Sequence, residues 1–308
     1  MKKQSDDTPT AQITGVKRFA IHDGPGIRTT FFLKGCPLKC LWCHNPEAIS
    51  PSPQMACYSH RCVNCGVCVQ ICPQQAHVMD GGGHSFKHER CIACGKCEET
   101  CQGGAMKLYG TSVSMEDTLA IALEDEMFYR ESGGGVTISG GEPLFQSTFT
   151  LAFMAALKAK GIHTALDTCL FVSKTDLEKA LPFADIFLVD FKHPDSAQHQ
   201  KLTGKPNEII CHNLEFLSQS GAKIEIRIPV VPGCNDSEET IRQTGLYLGA
   251  LNITLVRLLP YHALARSKYA ALGLTDTMPD VQSPSREHLR AIANILGQYG
   301  LKAVSALD

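Results

Sequence analysis

The chain has 308 residues, of which 44% are hydrophobic and 19% charged, values typical of a folded protein with a substantial core. Its formal net charge of -2 provides no basic excess for nucleic acid, and we find neither a secretory signal nor an apolar run that could span a membrane. The 15 cysteines therefore indicate metal binding in a reducing cytoplasm rather than disulfides. We expect no nucleic-acid or membrane partner.

The first part of the chain leads to a short loop that contains three cysteines. Residues 1–12 are predicted to form a loose tail, residues 13–21 a strand and residues 29–33 a second strand. The turn-rich string HDGPGIRT joins the two strands. The loop after the second strand carries cysteines with the spacing C-x3-C-x2-C, namely Cys36, Cys40 and Cys43.

Three thiolates in so short a loop can face a single soft metal centre. A structural zinc site needs a closed set of four ligands, which this loop supplies only if His44 is recruited. Because a 4Fe-4S cluster is normally held by four cysteines, three of them leave one iron free for a small-molecule ligand. We therefore predict an open, catalytic cluster here, with a zinc knob or a reducible thiol cluster as the alternative.

The next part of the chain contains an internal repeat of two four-cysteine runs. The first run is Cys62, Cys65, Cys68 and Cys72, and the second is Cys91, Cys94, Cys97 and Cys101. This spacing matches bacterial two-cluster ferredoxins, in which the fourth cysteine of each run binds the other cluster. We expect one 4Fe-4S cluster at Cys62, Cys65, Cys68 and Cys101, and another at Cys91, Cys94, Cys97 and Cys72. Two zinc sites are the alternative.

After this repeat, predicted strands and helices alternate to the end of the chain. The strands are residues 135–139, 164–167, 186–191, 223–231 and 254–259, and the helices are residues 115–132, 148–160, 174–181, 207–219, 238–251 and 284–299. Such alternation predicts an α/β fold with a parallel sheet and right-handed crossovers. We predict an open, partial (β/α)6 TIM-like barrel, formed by residues 1–54 and 104–308. Residues 55–103 would form an inserted two-cluster ferredoxin-like domain.

Polar side chains follow the predicted strands at the ends where barrels of this kind carry their chemistry. The polar residues are Glu142, Asp167, Thr168, Asp190, Lys192, Arg227 and His262. Gly140 and Gly141 precede Glu142, and Phe191 lies between Asp190 and Lys192. Because side chains alternate along a strand, Asp190 and Lys192 face the same way. All of these residues are therefore expected around one barrel mouth.

The C-x3-C-x2-C loop and the HDGPGIRT string together resemble the activating enzymes of glycyl radical enzymes, a subgroup of the radical S-adenosylmethionine enzymes. The resemblance implies that the amino and carboxylate groups of S-adenosylmethionine chelate the free iron. Reductive cleavage would then yield a 5'-deoxyadenosyl radical, which abstracts a hydrogen atom from a glycine of a partner glycyl radical enzyme. A flavodoxin- or ferredoxin-type protein would donate electrons, and the accessory clusters would relay them.

The same resemblance assigns roles to individual residues. S-adenosylmethionine would be contacted by Trp42, Cys43, His44, Gly140, Gly141, Glu142, Asp190, Phe191, Lys192, Arg227 and His262. A monovalent cation beside its carboxylate would be held by Asp167, Thr168 and Asp190, although Cys169 and Leu170 depart from the Asn-Gly of similar sequences.

Simpler roles compete with several of these assignments. Asp23 positions the substrate peptide or caps a turn, and Arg227 pairs with the cofactor carboxylate or is an ordinary strand-end charge. The alternative for Asp190, Lys192 and His262 is a salt bridge at the barrel mouth with a surface histidine. The remaining cysteines are interpreted as small hydrophobic residues: Cys57, Cys169, Cys211 and Cys234. Alternative functions are a radical enzyme that acts on a small molecule, an iron-sulfur electron carrier and a zinc-binding interaction module.

Overall fold

Nine strands form one mixed sheet in the computed structural model, which describes residues 8–306. The strand order across this sheet is β13-β12-β11-β10-β9-β8-β2-β1-β7. Two further pairs, β3 with β6 and β4 with β5, form small antiparallel sheets. In chain order the strands are β1 (Thr10–Ala20), β2 (Arg28–Leu33), β3 (Gln54–Cys57), β4 (His77–Asp80), β5 (Gly83–Phe86), β6 (Met106–Tyr109), β7 (Thr111–Ser114), β8 (Gly135–Gly140), β9 (Thr164–Thr168), β10 (Ile186–Asp190), β11 (Ile224–Val230), β12 (Leu255–Pro260) and β13 (Ala303–Ser305).

Helices connect the parallel strands and pack against the sheet. Five of them begin at a Ser or Asp whose side chain accepts a hydrogen bond from the third helical N–H, at Ser114, Ser173, Asp195, Ser237 and Ser285. The helices are α1 (Val67–Ile71), α2 (Lys96–Glu99), α3 (Met115–Leu123), α4 (Glu126–Ser132), α5 (Ser147–Ala159), α6 (Lys174–Ala180), α7 (Ser196–Thr203), α8 (Glu208–Gln219), α9 (Glu238–Gly249), α10 (Arg266–Ala271) and α11 (Arg286–Gly297).

Strand β2 and strands β8 to β13 pair in parallel across the sheet. Strands β1 and β7 are antiparallel additions at the edge next to β2. All six strands that the sequence predicted for the barrel are present, and the mixed α/β fold with a central parallel sheet agrees with the predicted partial barrel. Strand β13 was not predicted because its three residues are too few for a recognisable pattern.

The core lies between this sheet and its helices. The parallel strands are almost continuously buried, as expected of a sheet whose faces are both covered. Phe31 of β2 and Phe153 of α5 meet edge to face with ring centroids 5.2 Å apart. The sheet is thereby a rigid base for the loops at its C-terminal edge.

The first strand begins earlier than the sequence predicted. Residues 10–12 belong to β1, and Ala11 pairs with Val113 of β7. The prediction of a loose tail over residues 1–12 is therefore wrong for these three residues. Its first seven residues lie outside the described part of the chain.

The single helix predicted over residues 115–132 is divided in two at Asp125. The Asp125 side chain is only 1% exposed and accepts hydrogen bonds from Arg18 Nε at 2.9 Å and Thr29 Oγ1 at 2.6 Å. Its backbone leaves the helical conformation with φ -103° and ψ 8°. Periodicity could not predict this break, because both partners lie about a hundred positions away in the sequence.

The cysteine repeat lies in a segment whose two ends are paired with each other. Strand β3 enters this segment and strand β6 leaves it, with Gln54 opposite Tyr109 and Cys57 opposite Met106. The hydroxyls of Tyr58 and Tyr109 are 2.8 Å apart. The two tyrosine side chains pack with Leu272 at the end of α10. The paired strands thus extend beyond both ends of the predicted insert at residues 55–103.

We expect Asp125→Ala to lower the free energy of unfolding by about 2 kcal/mol, because the buried Thr29 hydroxyl loses its acceptor. Urea denaturation followed by circular dichroism measures this change. Glu124→Ala is the matched control, since exposed Glu124 also pairs with Arg18 but should contribute little. Equal stability losses in the two variants would contradict the structural role of Asp125.

Candidate active site

A cavity opens at the C-terminal ends of the parallel strands, where the sequence predicted the site. It encloses about 790 Å³, part of which is open to solvent. The predicted site residues that line it are Cys36, Cys40, Trp42, Cys43, His44, Gly140, Gly141, Asp190 and Lys192.

Backbone hydrogen bonds hold the cysteine loop at the wall of this cavity. The N–H of Cys36 donates to Ile49 O at 3.0 Å, and the N–H of Leu41 donates to Leu202 O at the end of α7 at 3.0 Å. Lys268 Nζ on α10 donates to His44 O at 3.0 Å and pairs with Glu47 Oε1 at 2.6 Å. The loop is therefore positioned by two helices distant in sequence, neither of which was predicted from the sequence.

The thiols of this loop differ in their protonation behaviour. Burial raises the pKa of Cys40 to about 11 and that of Cys43 to about 12. A hydrogen bond from Cys169 lowers the pKa of Cys36. Metal binding by such thiols requires loss of their protons, so a bound cation must compensate the buried negative charge.

Asp190 and Lys192 form an ion pair at the cavity wall, with Lys192 Nζ 2.8 Å from Asp190 Oδ2. Burial would lower the pKa of Lys192, but the negative charge of Asp190 counteracts this effect, and the pKa lies above its usual value. Lys192 therefore keeps its charge. Phe191 faces the other way, as strand alternation requires, and stacks on Tyr247 in the core with ring centroids 5.6 Å apart. The expected contact between the Phe191 side chain and the cofactor is thus not supported.

The glycines of the Gly-Gly-Glu string allow close approach of the cysteine loop. A Cβ on Gly140 would overlap the backbone of Leu33, and one on Gly141 would overlap the carbonyl oxygens of Gly35 and Ala48. Gly140 also has φ +122°, a conformation that disfavours other residues. Both glycines still line the cavity, so they meet the loop on one side and open space on the other.

Glu142 lies behind the cavity wall and its carboxylate is fully used by the protein. Its Oε1 accepts a hydrogen bond from the N–H of Leu144 at 3.1 Å, and its Oε2 accepts from Thr168 Oγ1 and the N–H of Cys169, both at 2.8 Å. Burial raises its pKa, and the hydrogen bonds oppose this shift. Glu142 is therefore a positioning residue that links β8 to β9, rather than a direct cofactor contact.

Asp167 and Thr168 project from opposite faces of β9. Asp167 Oδ2 accepts a hydrogen bond from Ser139 Oγ at 2.6 Å, and burial raises the pKa of Asp167 to about 6. The Thr168 hydroxyl donates to Glu142 and accepts from the N–H of Leu170 at 2.9 Å. A cation beside Asp167 and Asp190 would consequently lack the Thr168 hydroxyl as a ligand, because that hydroxyl faces away from both carboxylates.

Arg227 and the HDGPG loop meet at the same mouth. Arg227 Nη2 donates to His22 O at 2.9 Å, and Arg227 Nη1 lies 3.8 Å from Asp167 Oδ1. Asp23 Oδ2 accepts a hydrogen bond from Thr30 Oγ1 at 2.9 Å. Arg227 thus already has protein partners, which favours its structural interpretation over a free carboxylate-binding role.

The sequence analysis missed the residue that fixes this loop. Arg28 is fully buried and donates to Thr137 Oγ1 at 2.6 Å and to Pro25 O at 3.1 Å. Burial lowers its pKa to about 10. The loop also packs closely on the start of β8, since a Cβ on Gly26 would overlap Gly134. The Gly-Gly-Gly run at residues 133–135 was the sequence signal for this close approach.

His44 and His262 stack on each other with ring centroids 4.0 Å apart. His44 Nε2 is 3.1 Å from His262 O, and burial together with His262 lowers the pKa of His44 to about 4. The exposed His262 ring lies behind His44, outside the cavity lining. Trp42 packs with Tyr261 in a small apolar cluster that supports this pair.

Two cysteines that were interpreted as small hydrophobic residues have polar surroundings. Cys169 is 5% exposed, lines the cavity and donates a hydrogen bond to Cys36. Cys57 Sγ lies 3.9 Å from His84 Nδ1. The purely apolar interpretation is therefore wrong for both, because a hydrogen-bonded thiol is not an inert methyl-like group.

The eight cysteines of the repeat gather around two separate cavities. Cys62, Cys65, Cys68 and Cys101 line the first, and Cys72, Cys91, Cys94 and Cys97 line the second. Backbone N–H groups point at some of these sulfurs, including those of Ala105 toward Cys101 at 3.2 Å and Ala76 toward Cys72 at 3.3 Å. Four thiols around each cavity, with N–H donors to sulfur, fit an iron-sulfur cluster.

We expect Glu142→Ala to lower the free energy of unfolding by about 2–4 kcal/mol, because Thr168 and two buried N–H groups lose their acceptor. Glu142→Gln is the matched control, since one oxygen and the side-chain shape remain. Chemical denaturation of both variants measures the difference. An alanine variant as stable as the parent would contradict the positioning role.

Comparison with known proteins identifies the family of this chain. Residues 30–244 match the family model described as Radical SAM superfamily. The chain is 41% identical over 286 residues to the trans-4-hydroxy-L-proline dehydratase activating enzyme of Clostridioides difficile, covering 92% of this chain and 95% of that protein. It is 44% identical over 269 residues to the benzylsuccinate synthase activating enzyme of Thauera aromatica, covering 85% and 81% respectively.

Among solved structures, this chain is similar to a radical SAM methyltransferase from Sphaerobacter thermophilus, with a TM-score of 0.51 and 15% sequence identity. The match covers 97% of this chain and 77% of the methyltransferase chain. That likeness concerns the fold alone. Within residues 8–306 we find no helix of the length and apolarity needed to cross a membrane. The family match over most of the sequence and the near full-length relatives establish that this chain belongs to the Radical SAM superfamily and, within it, to the glycyl radical enzyme activating enzymes.

Proposed function

We propose that this chain cleaves S-adenosylmethionine reductively and abstracts a hydrogen atom from a glycine of a partner glycyl radical enzyme. The observation that carries the proposal is the cavity that Cys36, Cys40 and Cys43 line together with Asp190 and Lys192. Superfamily membership implies a 4Fe-4S cluster and S-adenosylmethionine. When bound, the two groups would supply one-electron chemistry, namely reductive cleavage of the sulfonium and abstraction of the glycine hydrogen, at a cluster that Cys36, Cys40 and Cys43 would hold.

The residues of the cavity would bind and orient the cofactor. Cys36, Cys40 and Cys43 hold three irons and leave the fourth accessible. Lys192, which keeps its charge, pairs with the cofactor carboxylate, and Asp190 accepts hydrogen bonds from the ribose hydroxyls. The backbone at Gly141 and the ring of His44 line the remaining wall.

A monovalent cation between Asp167 and Asp190 is part of this proposal. Asp190 contributes to the raised pKa of Asp167, as expected when two carboxylates lie close together. A cation would relieve their repulsion, and carboxylate oxygens are suitable hard ligands.

Asp23 would guide the glycine-containing peptide to the mouth. It belongs to the HDGPG loop, which the contact of Arg227 with His22 O holds in place. Glycine is the suitable target, since it has no side chain to obstruct entry into a narrow cavity.

We also propose that residues 55–103 form a ferredoxin-like insert with two 4Fe-4S clusters. The four-thiol lining of each of its cavities supports this assignment. A flavodoxin- or ferredoxin-type protein in the cytoplasm would reduce these clusters, which then pass electrons to the catalytic one. The carrier alternative does not explain the open third site at Cys36, Cys40 and Cys43.

Replacing Cys40 by Ala should reduce 5'-deoxyadenosine formation to background and remove about four iron atoms per chain. The assay uses anaerobically reconstituted protein, dithionite and S-adenosylmethionine, with chromatography of the products. Cys211→Ala is the control, because Cys211 on α8 lies outside all three cysteine sets. Continued cleavage by variants of Cys36, Cys40 and Cys43 would refute the mechanism, and a glycyl radical signal in an added partner enzyme tests the second half of the proposal.

Cys65→Ala should remove one accessory cluster and thus about four iron atoms. Cleavage driven by dithionite should persist, since the catalytic cluster is intact. Cleavage driven by flavodoxin should fall by about tenfold or more, equivalent to about 1.4 kcal/mol in barrier. Loss of dithionite-driven cleavage in a folded variant that retains the catalytic cluster would contradict the relay role.

A further inference from the structure

A fourth thiol belongs to the cavity of the predicted catalytic cysteines. Cys169 lines this cavity together with Cys36, Cys40 and Cys43. It is 5% exposed, and its thiol forms a hydrogen bond with that of Cys36, so the two sulfurs are adjacent. The cavity therefore has as many thiols as each of the two cavities in the insert. Four cysteine thiolates are the usual ligand set of a 4Fe-4S cluster.

The backbone at Cys169 is held in place by neighbouring elements. Its N–H donates to Glu142 Oε2 at 2.8 Å, directly after β9 ends at Thr168. The next residue, Leu170, has φ +58°, a left-handed conformation that is unfavourable for a leucine. Its N–H donates to Thr168 Oγ1 at 2.9 Å, and its carbonyl oxygen accepts from Asn213 Nδ2 at 2.9 Å. These contacts maintain a strained turn beside the cysteine loop, and such turns concentrate at functional sites.

Two other side chains of this cavity are of types that bind iron, but both have partners in the protein. His44 Nε2 lies 3.1 Å from His262 O, and the two imidazole rings stack on each other. Asp190 Oδ2 accepts a hydrogen bond from Lys192 Nζ at 2.8 Å, and its oxygens are hard ligands. Cys169 offers the soft sulfur that iron-sulfur clusters prefer.

We propose that Cys169 is the fourth protein ligand of the catalytic cluster while S-adenosylmethionine is absent, and that S-adenosylmethionine displaces it. The iron that Cys36, Cys40 and Cys43 leave open is then covered in the resting protein. Binding of the cofactor uncovers this iron and occupies it in the same step. This inference rests on the proposed function, since it requires the catalytic cluster.

The exchange of ligands transfers no electron. The bond between iron and the Cys169 sulfur breaks, and bonds from iron to the amino nitrogen and a carboxylate oxygen of S-adenosylmethionine form. The ammonium group of the cofactor loses one proton before its nitrogen binds iron, and the released thiolate takes up one proton. Charge and protons therefore balance without a further reactant.

Loss of iron under mild oxidation tests this assignment, because a 4Fe-4S cluster with an uncovered iron readily loses it and becomes a 3Fe-4S cluster. The full-length protein with all its clusters is treated anaerobically with ferricyanide, without S-adenosylmethionine, and is analysed for iron and by electron paramagnetic resonance. The parent should keep its iron. Cys169→Ala should lose about one iron atom per chain and show a 3Fe-4S signal. S-adenosylmethionine added before the oxidant should protect this variant, since it covers the same iron.

Two further variants separate iron binding from a packing role. Cys169→Ser keeps the size of the side chain and a hydrogen-bond donor, but its hydroxyl is a hard ligand. It should therefore lose iron like the alanine variant. Retention of iron in the serine variant would assign Cys169 a packing role and overturn the proposal. Cys211→Ala is the control and should behave like the parent, because Cys211 on α8 lies outside this cavity.

S-adenosylmethionine should bind Cys169→Ala more tightly than the parent, because it no longer has to displace a protein ligand. We expect the dissociation constant to fall about tenfold, equivalent to ~1.4 kcal/mol. Anaerobic equilibrium dialysis with S-adenosylmethionine measures this constant. An affinity equal to that of the parent, or weaker, would contradict the displacement.

The parent protein separates failure of this inference from failure of the proposed function. Iron loss from the parent equal to that from Cys169→Ala, in protein that still cleaves S-adenosylmethionine, would overturn this inference alone. Retention of iron by both proteins would assign the cover to another group of the cavity, such as His44, and would equally overturn it. A parent that has neither the catalytic cluster nor cleavage activity would overturn the proposed function instead.

Discussion

The close approach of the cysteine loop to the end of β8 is the constraint on which the site depends. A Cβ on Gly141 would overlap the carbonyl oxygens of Gly35 and Ala48, and one on Gly140 would overlap Leu33 at the end of β2, just before the loop begins. The same loop is fixed from the other side by Lys268 and Glu47. Because these contacts involve backbone and buried side chains, three sulfurs are positioned before any metal binds, which lowers the ordering cost of binding.

Electrostatics in the cavity follow from this enclosure. Burial disfavours charge on Cys40 and Cys43, whereas Lys192 stays charged beside Asp190. A cationic metal centre would compensate the negative charge of the deprotonated cysteines, and a ligand carboxylate would compensate the positive charge of Lys192. Glu142 acts on this balance from behind the wall, where its oxygens accept hydrogen bonds from Leu144, Thr168 and Cys169 and its charge opposes ionisation of Cys36.

Much of this arrangement could be predicted because its determinants are local in sequence. Cysteine spacing and strand alternation reveal the Cys36 loop and the barrel strands. Other features depend on partners far along the chain: the break at Asp125 needs Arg18, and the cavity position of Cys169 depends on the contact of Glu142 with β9. Strand alternation already implies that Phe191 faces away from the cavity, where its ring stacks on Tyr247. A contact of its side chain with the cofactor could therefore have been excluded from the sequence alone.

The pairing of β3 with β6 has a consequence for how such a protein can be assembled. Both connections to the cysteine-rich segment leave the barrel side by side, since Gln54 is opposite Tyr109. A segment with adjacent ends can be gained, lost or exchanged during evolution without opening the surrounding fold. The barrel is therefore separable in ancestry from the cysteine-rich segment, and a replacement segment would have to keep contacts such as those of Tyr58 and Tyr109 with Leu272 and of His88 with Gly273.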